Sequence, residues 1–142
     1  MHRDRPAAPG YLANLMARLF HEVSGEGLAP LGIRPEQFPV LVELWFGPGA
    51  SQASLVDSLE LDAAGVDALV GSLAADGLVE AVPAETTAPL VLTAKGSGAR
   101  DAAIAAARRA NQTAAAALSE DELVAFIAMM NRVIDALKAA KS

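Results

Sequence analysis

The sequence predicts a mainly helical α+β chain, a winged helix-turn-helix set between flanking dimerisation helices, and three observations predict it. Apolar residues recur at three-and-four spacing over most of the length, the period of a helix. Two short helical stretches meet at a tight turn, Glu60 and Leu61, between the possible caps Ser51 and Asp62. Two short β-prone runs, 78–82 and 90–93, then follow, separated by a loop bounded by Pro83 and Pro89.

Composition sets the frame. A chain of 142 residues fits one domain, 1–142, with a real core but not two independent ones. Apolar residues make up 53%, yet the aromatics are only four Phe, one Trp and one Tyr. Much of the apolar fraction is Ala, which gives thin helices that pack closely. Seventeen acidic residues against eleven basic ones leave a formal net charge of −6, a poor balance for binding nucleic acid. There is no Cys, which excludes disulfides, thiolate metal sites and thiol redox sensing. The first residues lack an apolar signal core and no run reaches membrane-spanning length, so the expected compartment is the cytoplasm and no membrane partner is expected.

Taken in order, the first helix starts near Pro9 and carries Leu12, Leu15, Met16, Leu19, Phe20 and Val23 on one face. Gly25, Gly27, Pro30 and Gly32 punctuate the chain after it. A second helix opens with Pro35 in its first turn, where a missing N–H does no harm, and runs to the stop at Gly47, Pro48 and Gly49. Its apolar run is interrupted only by Glu43, which predicts burial nearly all round, and Pro39 should cost it one hydrogen bond. Ser51 caps the next helix, with Ala53, Leu55, Val56 and Leu59. Asp62 caps the one after, whose inward stripe is Val66, Leu69, Val70 and Leu73, with Gly77 as its stop. Beyond the wing, Thr93 caps a long helix through the Ala-rich stretch 102–117, its first turns weakened by Gly96 and Gly98. Ser119 to Glu122 form a capping box that opens a last helix with the stripe Leu123, Phe126, Ile127, Met130, Val133, Ile134 and Leu137. The first and last helices have apolar faces too wide for one copy to cover, which predicts a homodimer.

The order of these elements and several local strings resemble the MarR family of bacterial transcription regulators. The strings are Leu28 to Ile33, Pro35 to Phe38, Gly47 to Gln52, Leu61 with Asp62, the stripe from Val66 to Leu73, Gly77 to Val79, Leu92 to Gly96, and Leu118 to Leu123. The similarity runs from Pro9 to the C-terminus. It implies a triangular dimer held by segments 9–33 and 94–142, with 34–93 as the winged unit. It also implies that the helix opening at Asp62 enters the major groove while the wing reaches the minor groove. By family position, the DNA-facing residues are Ser51, Gln52, Ala63, Ala64, Gly65, Asp67, Ala68, Ser72, Thr86 and Thr87. The family further implies a small aromatic or anionic ligand bound between the dimerisation helices and the winged unit.

The reading surface departs from that pattern. From Pro35 to Ala94 there is no Lys or Arg, while Glu36, Glu43, Asp57, Glu60, Asp62, Asp67, Asp76, Glu80 and Glu85 give a formal charge of −9 per subunit. Duplex DNA is bound largely by cations that neutralise phosphates and release counterions. The outward positions of the reading helix also lack the Arg, Lys, Asn or Gln that bidentate base reading needs. The wing lacks the family's Asp-x-Arg feature, and Glu60 stands where the family often has Gly. Two readings follow. In one, the chain is a divergent regulator that no longer binds DNA itself and acts through a ligand, a related regulator or another protein. In the other, it is an ordinary ligand-responsive DNA-binding repressor that holds phosphates with backbone N–H groups, Ser51, Gln52, Thr86, Thr87, Arg34 or Lys95.

Nothing in the sequence favours an enzyme, a cofactor or a metal. There is no Gly-x-Ser-x-Gly elbow, no phosphate-cradling loop ending in Lys, and no ligand-spaced His pair. His2 falls in a terminal tail, His21 reads as a surface or interface residue, and Arg108 with Arg109 as a solvated helix face. Phe38 and Trp45, seven apart, share one face and read as core. Phe46 sits about 100° round from Trp45. It could wall a ligand pocket together with Tyr11, Leu15, Met16, Phe38 and Trp45, although core or dimer packing is the simpler use of these side chains.

Overall fold

The structure, a computed structural model, describes residues 4–47 and 49–141. It forms two compact units, Met1–Ala107 and Arg108–Ser142. His2 and Pro48 lie outside the described residues.

In the first unit, α1 spans Pro9–Leu28 and starts where the sequence predicts. It does not stop at Gly25 but runs through both glycines to Leu28. Each interior glycine costs a helix about 1 kcal/mol. Leu28, buried in the core, offsets this, since a fully buried leucine contributes roughly 2 kcal/mol. A 3₁₀ turn, Ala29–Leu31, follows, and Gly32 ends it at φ +72°, a left-handed conformation that suits glycine.

The two prolines of the next segment are accommodated by a start in two steps. Pro35–Gln37 form a 3₁₀ turn, and α2 then spans Phe38–Phe46. Pro39 thereby falls in the first turn of α2, where no N–H is required, so the lost hydrogen bond expected of a single helix from Pro35 does not arise. Nor is α2 buried all round. Val40, Leu41 and Leu44 enter the core, but Phe46, the last residue of the helix, is 64% exposed.

The helix-turn-helix forms as expected from α3, Gln52–Leu59, and α4, Ala63–Ala75. Val66, Val70 and Leu73 of α4 are buried with Leu55 of α3. The predicted wing strands are reduced to one antiparallel bridge, Val79 with Leu92, and a second bridge, Ser51 with Pro89, ties the loop to the start of α3. Pro83 and Pro89 supply no N–H, which limits any longer ladder in so short a loop.

The long helix expected from Thr93 breaks at Ala99 into α5, Ala94–Gly98, and α6, Arg100–Ala115. Gly96 and Gly98 weaken the helical turn ahead of the break. Ala99, Ala103 and Ala106 complete the core of the first unit.

The second unit contains the end of α6 and α7, Glu120–Ala140. Its capping box is formed: the Glu122 N–H donates to Ser119 Oγ at 3.1 Å, and the Ser119 N–H donates to Glu122 Oε1 at 2.9 Å. Along α7, Leu123, Phe126 and Met130 are half-buried, whereas Ile127, Val133, Ile134 and Leu137 are exposed. Among the described residues, no helix is long and apolar enough to cross a membrane.

Candidate nucleic-acid interface

The reading end of the winged unit is built from two capped helices. At α3, the Ser54 N–H donates to Ser51 Oγ at 3.2 Å while the Ser51 N–H donates to Ser54 Oγ at 2.9 Å. At α4, the Gly65 N–H donates to Asp62 Oδ1 at 2.7 Å. Both caps answer donors that the first turn of a helix leaves without partners. Between the helices Glu60 adopts φ +57°. That left-handed conformation costs an L-residue roughly 1–2 kcal/mol, and it explains why glycine suits this turn.

The wing is tied to this end. The Ala53 N–H donates to the Thr86 carbonyl at 2.9 Å, and the Leu90 N–H donates to the Ala50 carbonyl at 2.9 Å. Thr86 and Thr87 are exposed at the loop tip beside Glu85. Ser51 and Gln52, offered by family position as DNA contacts, are buried, at 7% and 8% exposure. On α4, Ala63, Ala64, Asp67 and Ala68 are exposed, while Gly65 and Ser72 are half-buried. Ser72 is already engaged: its hydroxyl donates to the Leu69 carbonyl and accepts from Gln37 Nε2. The side chains this helix presents outward are therefore methyl groups and one carboxylate.

The cations on either side of the stretch that lacks Lys and Arg are held elsewhere. Arg34 Nη2 lies 3.2 Å from Asp76 Oδ2, and Lys95 Nζ donates to the Asp76 carbonyl at 2.9 Å. Asp76 is the C-cap of α4, about 20 Å along a thirteen-residue helix from the end that would enter a groove. Gln37, with 0% exposure, also donates to Asp76 Oδ2, at 2.8 Å. The hydrogen bond from Gln37, with that from Arg34 and the positive charge of Arg34 and Lys95, holds the Asp76 carboxyl below the ordinary aspartate range against the opposing effect of desolvation. Sequence reasoning missed this cluster. Gln37, a polar residue next to a strongly apolar helix, was its only visible signal.

The six residues proposed as pocket walls do not share one environment. Phe38 and Trp45 meet edge to face, ring centroids 5.9 Å apart, packed against the core. Leu15 and Met16 are half-buried, whereas Tyr11 and Phe46 are exposed. Trp45 lines a cavity of about 330 Å³ with Leu92, Ser97, Gly98, Arg100 and Asp101. Among the described residues, no three or more His, Asp or Glu side chains come together as a set that could hold a metal ion.

Comparison with solved structures identifies the fold of this architecture. A MarR family protein of Mycobacterium tuberculosis in complex with DNA is 26% identical, with a TM-score of 0.63, over 89% of this chain and 98% of that one. The same protein in complex with p-aminosalicylic acid is 27% identical, with a TM-score of 0.60, again over 89% and 98% of the two chains. MepR of Staphylococcus aureus, also in complex with DNA, is 22% identical with a TM-score of 0.78, over 94% and 99% of the two chains. The chain has the fold of a MarR-type transcriptional regulator. No protein-family model matches it, and no curated protein does. A probable transcriptional regulator of Pseudomonas aeruginosa is likewise 26% identical, with a TM-score of 0.75, over 89% of this chain and 97% of that one.

Proposed function

We propose that this chain is a homodimeric MarR-type regulator whose own winged face does not hold duplex DNA, and that it acts in the cytoplasm through a ligand or a protein partner. The observation that carries this reading is the exposed face of α4. It offers Ala63, Ala64, Asp67, Ala68 and Gly71, with no Lys or Arg from Pro35 to Ala94. Phosphate neutralisation supplies essentially all of non-specific DNA affinity, and here the nearest cations in sequence are bound at the far end of α4. Dimerisation through segments 9–33 and 94–142 is supported by apolar side chains left in solvent on both: Tyr11, Leu12, Leu19 and Val23 on α1, and Val124, Ile127, Val133 and Leu137 on α7. A salicylate-like ligand is supported by the Mycobacterium tuberculosis relative and by the Trp45 cavity, which Arg100 also lines, paired there with Asp101.

The DNA complexes of two similar structures favour a second reading, an ordinary ligand-responsive repressor. A titration of fluorescent random duplex at low salt separates the two. Ordinary members of a DNA-binding fold bind non-specifically at about 10⁻⁴ to 10⁻⁶ M even at physiological salt. This chain should stay unbound well above that range. Saturable, salt-sensitive binding within it would return the chain to the ordinary repressors.

A further inference from the structure

We propose that the reading end of the winged unit is a docking groove for a basic protein segment carrying an apolar anchor, an inference that rests on the proposed loss of DNA binding at this face. A cavity of about 310 Å³ opens there, lined by Gln52, Ala53, Val56, Ala63, Val66 and Thr86 from α3, α4 and the wing loop. Its lining is aliphatic apart from Gln52 and Thr86, and its size suits an apolar side chain at the lower end of the range of ligand pockets. Gln52 is only 8% exposed, and among the described residues its amide has no hydrogen-bond partner. No described residue has a sealed-off unsatisfied polar side-chain atom, so this amide is open to whatever fills the cavity. It can pair with a backbone group of the incoming segment, as one well-placed polar group does in an otherwise apolar site.

The rim selects the charge of the occupant. Asp67 follows Ala63 by four residues on α4, and Asp57 follows Ala53 by four on α3, so each shares a face with a lining residue. Glu85 precedes Thr86 in the wing loop, and Asp62 precedes Ala63. All four carboxylates are exposed. An apolar centre inside a charged rim is the anatomy of a protein interface, and complementary charge gives such an interface its specificity and its rate. The carboxylates are spread over α3, α4 and the wing, more than one small cation can neutralise. A chain segment bearing several Lys or Arg around an apolar anchor fits them all. The exposed Ala64 and Ala68 let that segment approach α4 closely.

The test uses the intact protein and a short amphipathic helical peptide with a Leu and Phe face flanked by Lys. Binding is followed by fluorescence anisotropy and by amide shifts in nuclear magnetic resonance. The anchored peptide should bind at physiological salt and shift Gln52, Val56, Ala63 and Thr86. Replacing its anchors with Ser, or filling the cavity with Ala63→Trp, should weaken it by at least about tenfold. The combined Asp57→Asn, Asp67→Asn and Glu85→Gln variant should weaken it and flatten its salt dependence. Equal binding of the anchored and Ser peptides, shifts confined to α1 or α7, or no binding by folded protein would overturn the groove. Groove signals that move on dilution without peptide would make the occupant a second copy and overturn the basic segment. Random duplex is titrated in parallel: if neither DNA nor peptide binds, the groove fails alone, whereas DNA binding overturns the reading beneath it.

Discussion

The indole Nε1–H of Trp45 donates to the Gly96 carbonyl across 2.9 Å, and the same glycine has no room for a side chain, because a Cβ there would run into the carbonyl of Leu78. Thr93 closes the junction: its N–H donates to the Leu78 carbonyl at 3.1 Å and its hydroxyl to the Gly77 carbonyl at 2.6 Å. α2, the turn after α4 and the start of α5 are thereby fastened together at one glycine.

Gly96→Ala should therefore destabilise the fold by about 1–3 kcal/mol, the range for forcing an extra group into a packed site. Gly98→Ala, with nothing within 4 Å of its added Cβ, should be neutral or mildly stabilising. Trp45→Phe keeps an aromatic ring, though a smaller one, and its lost hydrogen bond alone should cost about 1 kcal/mol. Urea denaturation followed by circular dichroism ranks the three. Equal effects of the two glycine variants would contradict the close approach at Leu78.

Asp76 gives the chain a definite response to acid. Hydrogen bonds from Gln37 and Arg34 lower its pKa in the folded state, and a backbone hydrogen bond from Ser119 lowers that of Glu122. A carboxyl depressed on folding stabilises the protein above its unfolded pKa, and that contribution is lost as pH falls through the folded value. The urea midpoint should thus be flat above about pH 5 and fall below about pH 4. Asp76→Asn should start from a lower midpoint at neutral pH and lose part of the acid dependence. An acid dependence identical to that of the unmodified protein would show that Asp76 does not contribute.

Much of the fold was legible in the sequence, for reasons that can be assigned. Caps at Ser51, Asp62, Thr93 and Ser119 are local chemistry, and all four form. The end of α1 was not legible, because the burial of Leu28, a tertiary effect, overrides two helix-breaking glycines. The two-step start of α2 was hidden because proline chemistry alone does not distinguish a 3₁₀ turn from an α-helical one. At the candidate site, the missing cations were plain, but the positions of Ser51, Gln52 and Ser72 were not. Their burial depends on the wing folding back to Ala50 and Ala53 and on Gln37 reaching α4 from a separate segment. The Asp76 cluster joins residues about forty apart in sequence, and no local pattern announces such a pairing.

The exposed apolar residues of α1 and α7 should be covered by a second subunit. Light scattering at micromolar concentration should give twice the chain mass. Ile134→Glu combined with Leu137→Glu, both at exposed α7 positions, should shift the protein toward monomer or aggregate. A soluble, fully folded monomer of the unmodified chain would rule out the homodimer.

If the MarR-type scaffold is intact and only the chemistry of its reading face is missing, DNA binding can be installed. Ala63, Ala64 and Ala68 are exposed on α4, so arginine at all three adds three positive charges per subunit without entering the core. Ser72 is the poorer choice, because it is half-buried and holds Gln37. Each phosphate neutralised adds about 0.9 to the slope of log affinity against log salt. The triple variant should therefore bind random duplex at low salt with a clear salt dependence, and light scattering should show it still dimeric. Arg34→Ala or Lys95→Ala in the natural protein should leave DNA binding unchanged, because both side chains are committed to Asp76. A loss of DNA affinity from either single change would instead place those cations on the phosphates and sink the divergent reading.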